Sequence, residues 1–168
     1  AQRTSHPNPL RIAHAARTLV SSFTTLAEDK HIRLSFDSSG DPWIACDADS
    51  VEKILVNLVS NAIKYTPDGG RIIVDGRMLP GFIELTVTDT GIGMNAEQVR
   101  QLFQHLDQDE ATASRRVGGS GLGWMIAKEL AQRMGGTIDV QSALGQGSCF
   151  TLTLPVTNAQ WPQDSRTL

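Results

Sequence analysis

A chain of 168 residues, 40% apolar and 20% charged, suits one soluble globular domain. Its formal net charge of −3, carried without a basic block, argues against a nucleic-acid partner. Apolar runs fall far short of the ~20 residues that span a bilayer, no signal-peptide pattern opens the chain, and Cys46 and Cys149, without CxxC spacing, exclude structural zinc and read as reduced thiols in a cytosolic core.

Residues 1–8 are polar, include proline, and read as a linker. Leu10, Ala13, Ala16, Leu19, Val20, Phe23, Leu26 and Ala27 recur at helical spacing, which predicts one amphipathic helix over 9–29. His31–Phe36 alternates as a strand, Ser38–Asp41 with Pro42 is a turn, and Trp43–Cys46 is a short strand. Asp49 and Glu52 have capping-box spacing and open a helix that runs to about Tyr65, stopped by Pro67 and Gly69–Gly70. Arg71–Arg77 and Phe82–Asp89 are strands joined by a turn at Pro80–Gly81. Asn95 with Gln98 starts a helix to about Phe103. The aperiodic, polar stretch 104–120 is long for a plain loop and reads as a functional lid. Leu122–Met134 is a helix with Gly135 as its left-handed stop, Thr137–Ser142 and Cys149–Pro155 are the last strands, and 156–168 is a polar tail. The order of elements lacks strict βαβ alternation. It predicts an α+β sandwich over 9–155, a mixed sheet of about five strands with three helices on one face.

The helix from Asp49 carries two stripes. Val51, Ile54, Leu55, Leu58, Val59 and Ala62 point one way, and Asn57, Asn61 and Lys64 point roughly 130° away. The apolar stripe must lie on the sheet. The amide–amide–ammonium stripe is either a solvated polar face or a place for Mg²⁺ and phosphate. An Asn oxygen is a hard neutral ligand, and Mg²⁺ takes only one or two protein oxygens beside waters and phosphates. A lysine serves phosphate as a point charge.

In Phe82–Asp89, Ile83, Leu85, Val87 and Asp89 share one side of the strand, so Asp89 points to the core. A buried carboxylate must be paired or hydrogen-bonded. Either Asp89 caps its own turn, with Gly91 and Gly93 following, or it accepts the exocyclic amine of adenine, where a guanine carbonyl would be repelled. Arg115 and Arg116 precede the glycine-rich run 118–123 at a helix entrance, where free N–H groups favour anions. The run fits neither GxGxxG nor GxxxxGK[ST].

In this order the motifs resemble the catalytic ATP-binding domain of bacterial sensor histidine kinases, in the gyrase–chaperone–kinase–MutL ATPase superfamily. NLVSNAIKYTPDGG is similar to the N box, DTGIGM to the G1 box, LFQHLDQ to the F box, GGSGLG to the G2 box and GQGSCFTLTLP to the G3 strand, in register across 8–155. The resemblance implies a Bergerat-type α/β sandwich with ATP and Mg²⁺ as its ligands. It implies that Asn61 coordinates Mg²⁺, that Lys64 and Tyr65 approach phosphates or ribose, and that Asp89 binds adenine with Gly91, Gly93 and Met94 closing the pocket. Ser148 would hold a water on the adenine, while Gly119, Gly121, Leu122 and Gly123 meet the phosphates and Arg115 or Arg116 reaches them from the lid. Where hydrolysing relatives carry a general-base glutamate, four residues before the metal asparagine, this chain has Asn57, which cannot take a proton. The family pattern is broken by Leu106 in the F box and Trp124 after GLG.

The family phosphorylates a histidine followed by an acidic residue, and none of His6, His14, His31 and His105 has that context. The implied activity is that of a protein-histidine kinase in a two-component phosphorelay. Its γ-phosphoryl group goes to a dimerisation and phosphoacceptor domain of the same parent, then to a response-regulator receiver domain. The isolated domain is expected to be a cytoplasmic monomer without membrane contact, whether or not the parent is anchored in the inner membrane. The alternative readings are a regulatory module that binds nucleotide or partner helices without phosphotransfer, a serine kinase of the anti-sigma-factor type, and a hydrolysing ATPase.

Overall fold

The computed structural model describes residues 8–38, 43–104 and 121–155. The expected lid (except residue 104), the linker (except residue 8) and the tail lie outside the described residues, as do Arg115, Arg116, Gly119 and Leu106.

The helix predicted over 9–29 is three elements: β1 (Asn8–Arg11), α1 (Ile12–Ser22) and α2 (Thr24–Asp29). β1 pairs antiparallel with β3 (Trp43–Cys46) in a separate two-stranded ribbon. Pro9, with no N–H to donate, is tolerated in so short a ribbon. The break falls at Phe23, where φ −94° and ψ 0° leave the helical well and the N–H donates to the Val20 carbonyl at 3.0 Å. The hydroxyls of Ser21, Ser22 and Thr24 donate back to the carbonyls of Arg17, Leu19 and Ser21, giving this stretch an alternative to the helical ladder. Ala13, Ala16 and Val20 are buried as the periodicity predicts, Ile12 is buried although the predicted stripe omits it, and Leu26, beyond the break, is 54% exposed.

β2 (Arg33–Ser38) starts two residues later than predicted, after a turn in which His31 takes φ 53°, and runs on through Ser38. α3 (Ala48–Tyr65) is capped by Asp47 rather than Asp49. The Asp47 carboxylate accepts the Asp49 N–H at 3.1 Å and the Ser50 hydroxyl at 2.9 Å, so Ser50 takes the place assigned to Glu52.

The main sheet runs β2-β4-β5-β7-β6, with β4 (Arg71–Leu79), β5 (Phe82–Asp89), β6 (Thr137–Ala143) and β7 (Gly147–Pro155). β2 and β4 are parallel and the other pairs antiparallel, so the sheet is mixed and five-stranded as predicted. Ile72, Val74, Ile83, Leu85, Val87, Leu152 and Leu154 form its buried face. Against it lie α1, α3 and α5 (Gly121–Arg133), and α3 also packs on both other helices. The apolar stripe of α3 is buried throughout, from Val51 to Ala62. Each of its large aliphatic side chains stabilises the sandwich by about 1.5–3 kcal/mol.

α4 (Ala96–Gln104) opens on the predicted box. The Asn95 N–H donates to Gln98 Oε1 at 2.9 Å and the Gln98 N–H to Asn95 Oδ1 at 2.8 Å. α5 ends as predicted at Gly135 (φ 75°), and the Gly136 N–H donates to the Ala131 carbonyl at 2.9 Å. β7 begins at Gly147, two residues before the predicted Cys149, because apolar alternation cannot register a glycine and a serine already in the ladder.

Candidate functional site

Strand register aligns three residues at one end of the sheet. Asp89 on β5 is opposite Ser148 on β7, and Ser148 is opposite Ser142 on β6. Opposed residues present their side chains on the same face. Ile72 is also opposite Asp89, so that face is the one covered by helices.

Asp89 is only 6% exposed. Its Oδ1 accepts the Gly91 N–H at 2.8 Å and the Ser148 N–H at 3.2 Å. The turn-capping reading therefore holds for one oxygen. Oδ2 accepts no hydrogen bond among the described residues, yet it is not one of their fully buried unpartnered atoms, so it keeps some accessible surface. Burial pushes the carboxyl pKa above the ordinary aspartate range, against the pull of the bonds from Gly91 and Ser148. Among the described residues no cation is paired with it. A carboxylate kept under these conditions is suited to a ligand that donates to it.

The loop after Asp89 is held by its glycines. A Cβ on Gly91 would stand 2.6 Å from the Tyr65 carbonyl oxygen and 2.8 Å from Asp89 Oδ1. Gly93 has φ 67°, and a Cβ there would meet the Ala143 carbonyl oxygen at 2.0 Å. The Ile92 N–H donates to the Tyr65 carbonyl at 3.2 Å, and the Ile92 carbonyl accepts the Gly145 N–H at 2.8 Å. The loop is thereby clamped between the end of α3 and the β6–β7 turn. The Met94 N–H donates to Ser142 Oγ at 2.8 Å, and Ser142 Oγ lies 2.7 Å from Ser148 Oγ.

Asn57 and Asn61 are half-buried and Lys64 is exposed on α3, with the Lys64 ammonium 5.4 Å from the Tyr65 ring centre. A Cβ on Gly123 would come within 3.0 Å of Asn57 Oδ1, so the Asn57 amide lies against the first turn of α5. Gly121 and Leu122 belong to that same turn, where backbone N–H groups lack helical partners. The eight residues of α3 from Asn57 to Lys64 span about 10 Å. The polar stripe thus links the loop beside Asp89 to the α5 N-terminus. Among the described residues no three His, Cys, Asp or Glu side chains cluster as a metal cage. A lone amide oxygen such as that of Asn61 fits Mg²⁺, which takes most of its ligands from water and phosphate.

One residue of this site, Ser142, has no place in the sequence motifs, and Gly147 lies in the G3 stretch without a role assigned to it there. The β6–β7 hairpin register would have revealed Ser142, since a turn over Leu144–Gln146 sets it opposite Ser148. Trp124, the departure after GLG, is a core residue. It is 6% exposed, its indole N–H donates to the Leu102 carbonyl at 3.0 Å, and its ring meets Phe150 edge-on at 5.5 Å.

The mixed five-stranded sheet with helices on one face defines the class of fold, an α/β sandwich. A profile of the histidine kinase-, DNA gyrase B-, and HSP90-like ATPases matches residues 46–158. The chain is 36% identical over 156 residues to the autoinducer 2 sensor kinase/phosphatase LuxQ of Vibrio parahaemolyticus, covering 89% of this chain and 18% of LuxQ. Full-length ShkA in complex with AMPPNP superposes with a TM-score of 0.81 at 27% identity, over 97% of this chain and 34% of ShkA. The catalytic domain of the histidine kinase ThkA gives a TM-score of 0.77 at 21% identity, over 90% of this chain and 96% of that domain, and ThkA has also been solved with the response regulator protein TrrA. The chain belongs to the histidine kinase-, DNA gyrase B- and HSP90-like ATPase family, as a catalytic ATP-binding domain of sensor-histidine-kinase type. It spans less than a fifth of the length of LuxQ.

Proposed function

We propose that the domain binds Mg-ATP in this pocket and donates its γ-phosphoryl group to a histidine on the dimerisation and phosphoacceptor domain of the same parent, which passes it to a response-regulator receiver domain. The observation that carries this reading is Asp89, a buried carboxylate with one oxygen fixed by backbone N–H groups and the other accessible and without a hydrogen bond among the described residues. Such an acceptor selects the amine of adenine. Gly91 and Gly93 bring backbone against the base, and the first turn of α5 receives phosphate oxygens on its N–H groups. Lys64 supplies a point charge, joined in this reading by Arg115 or Arg116. Asn61 would hold Mg²⁺, which when bound neutralises phosphate charge. Asn57 stands where a hydrolase needs a base and, as an amide, cannot take a proton from a water attacking ATP.

The chemistry left to this chain is alignment and electrostatics, because the loose phosphoryl-transfer transition state needs little else. AMPPNP bound to ShkA and the response regulator held by ThkA support the ligand and the partner. In this reading the domain works in the cytoplasm. The reading of a regulatory module without phosphotransfer draws on Leu106, which lies outside the described residues, and on Trp124, whose ring is packed in the core. Calorimetric titration with a non-hydrolysable ATP analogue, with and without Mg²⁺, tests the site, and adenine-selective, metal-sensitive binding is expected. Adding the helical phosphoacceptor domain and radiolabelled ATP should then give acid-labile phosphohistidine. Nucleotide binding with no labelled histidine would establish the regulatory module instead.

A further inference from the structure

The Ser142 hydroxyl has one proton and three neighbours. It accepts the Met94 N–H at 2.8 Å, faces the Gly147 carbonyl at 2.9 Å and lies 2.7 Å from Ser148 Oγ. The Gly147 carbonyl can only accept, and the Met94 N–H can only donate. All three contacts are hydrogen bonds in one arrangement alone. Ser142 gives its proton to Gly147, and Ser148 gives its own proton to Ser142. The Ser148 oxygen then has only lone pairs to offer. Beside it, on the same face, stands Asp89, whose Oδ2 also only accepts.

We propose that Ser142, which no recognised motif of the chain includes, is a specificity-determining positioning residue: it fixes the direction of the Ser148 hydroxyl so that this end of the pocket presents two acceptors and reads an amino group. The inference rests on the adenine reading of the site and extends it. Without Ser142, the Ser148 hydroxyl is free to turn and donate to a 6-oxo base. Ser142 acts through Ser148 and need not touch the ligand.

The test compares the affinities of the 168-residue chain for ATP and for inosine triphosphate, in which an oxo group replaces the amine. Measurements are made on the unsubstituted chain and on Ser142→Ala, Ser142→Thr, Ser148→Ala and the Ser142→Ala/Ser148→Ala pair. The unsubstituted chain should prefer ATP. Ser142→Ala should cut that preference roughly tenfold, the worth of one hydrogen bond, while Ser142→Thr retains it. In the Ser148→Ala background, Ser142→Ala should add nothing, because the two act as one unit. Equal weakening of both nucleotides by Ser142→Ala would reduce Ser142 to an anchor for the Met94 loop and overturn the proposal alone. If Ser142→Ala fails to fold, Ser148→Ala decides, since an unchanged preference there removes the reader that Ser142 is said to set. No preference in the unsubstituted chain overturns the adenine reading as well.

Discussion

Replacing Asp89 with asparagine separates what this residue does for the fold from what it does for the ligand. The amide oxygen can still accept the N–H groups of Gly91 and Ser148. The atom facing the pocket changes from an acceptor to an NH₂ donor, opposed to the adenine amine. Loss of a charge-assisted bond costs about 1.5–3 kcal/mol, and a donor left without an acceptor about 1–3 kcal/mol more. Affinity should therefore fall by roughly seventyfold to some tens of thousandfold. Stability should move the other way. Burial holds the carboxyl pKa above its ordinary value, so the native state binds this proton more tightly than the unfolded chain does. The ionised carboxylate costs stability once pH has risen past the native pKa, and that cost vanishes as pH falls through it towards the unfolded value of about 3.9. The neutral amide of Asp89→Asn escapes the cost, so the variant should melt at or above the parent temperature at pH 7 and lose that advantage near pH 4. Titration calorimetry and thermal unfolding at the two pH values read both effects. Affinity within threefold of the parent removes Asp89 from the pocket, and a lower melting temperature at pH 7 refutes the view that the carboxylate is retained for the ligand at the expense of the fold.

Asn61→Ala should reduce the Mg²⁺ dependence of nucleotide binding, and equal affinity losses with and without Mg²⁺ would show that Asn61 is no metal ligand. Trp124→Phe keeps an aromatic ring but removes the N–H that serves the Leu102 carbonyl in the last turn of α4. It should cost about 1 kcal/mol, or roughly 3 °C in Tm, and an unchanged Tm would show that the bond contributes nothing. Burial, then the charge of Asp47, pushes the Cys46 thiol up to about 11. A thiol reagent at pH 8 should therefore label half-buried Cys149 well before Cys46, and equal labelling rates in the folded protein would contradict this.

Alternation and helical spacing by themselves located most elements, because burial on one face leaves a period in the chain that needs no partner to be seen. The apolar stripe of α3, the inward turn of Asp89 and the Asn95–Gln98 box were legible in this way, since each depends on neighbours a few residues off. The motif order of the N, G1, G2 and G3 stretches added the class of ligand.

Contacts between distant segments decided the rest. The stretch 9–29 has helical spacing throughout, but its first residues pair with β3, more than thirty positions away, and its serines and threonine compete for carbonyls at Phe23. Asp47 displaced Asp49 as the cap of α3 because it also captured the Ser50 hydroxyl, a choice of geometry between two residues of the same type. Ser142 became part of the site only through the hairpin register that sets it beside Ser148, and Trp124 was recognisable as a core residue only once Leu102 and Phe150 had been brought to it. A sequence records which side chains favour burial or turns. Which oxygen faces which proton across three strands is fixed by register, and register is settled when the whole sheet closes against its helices.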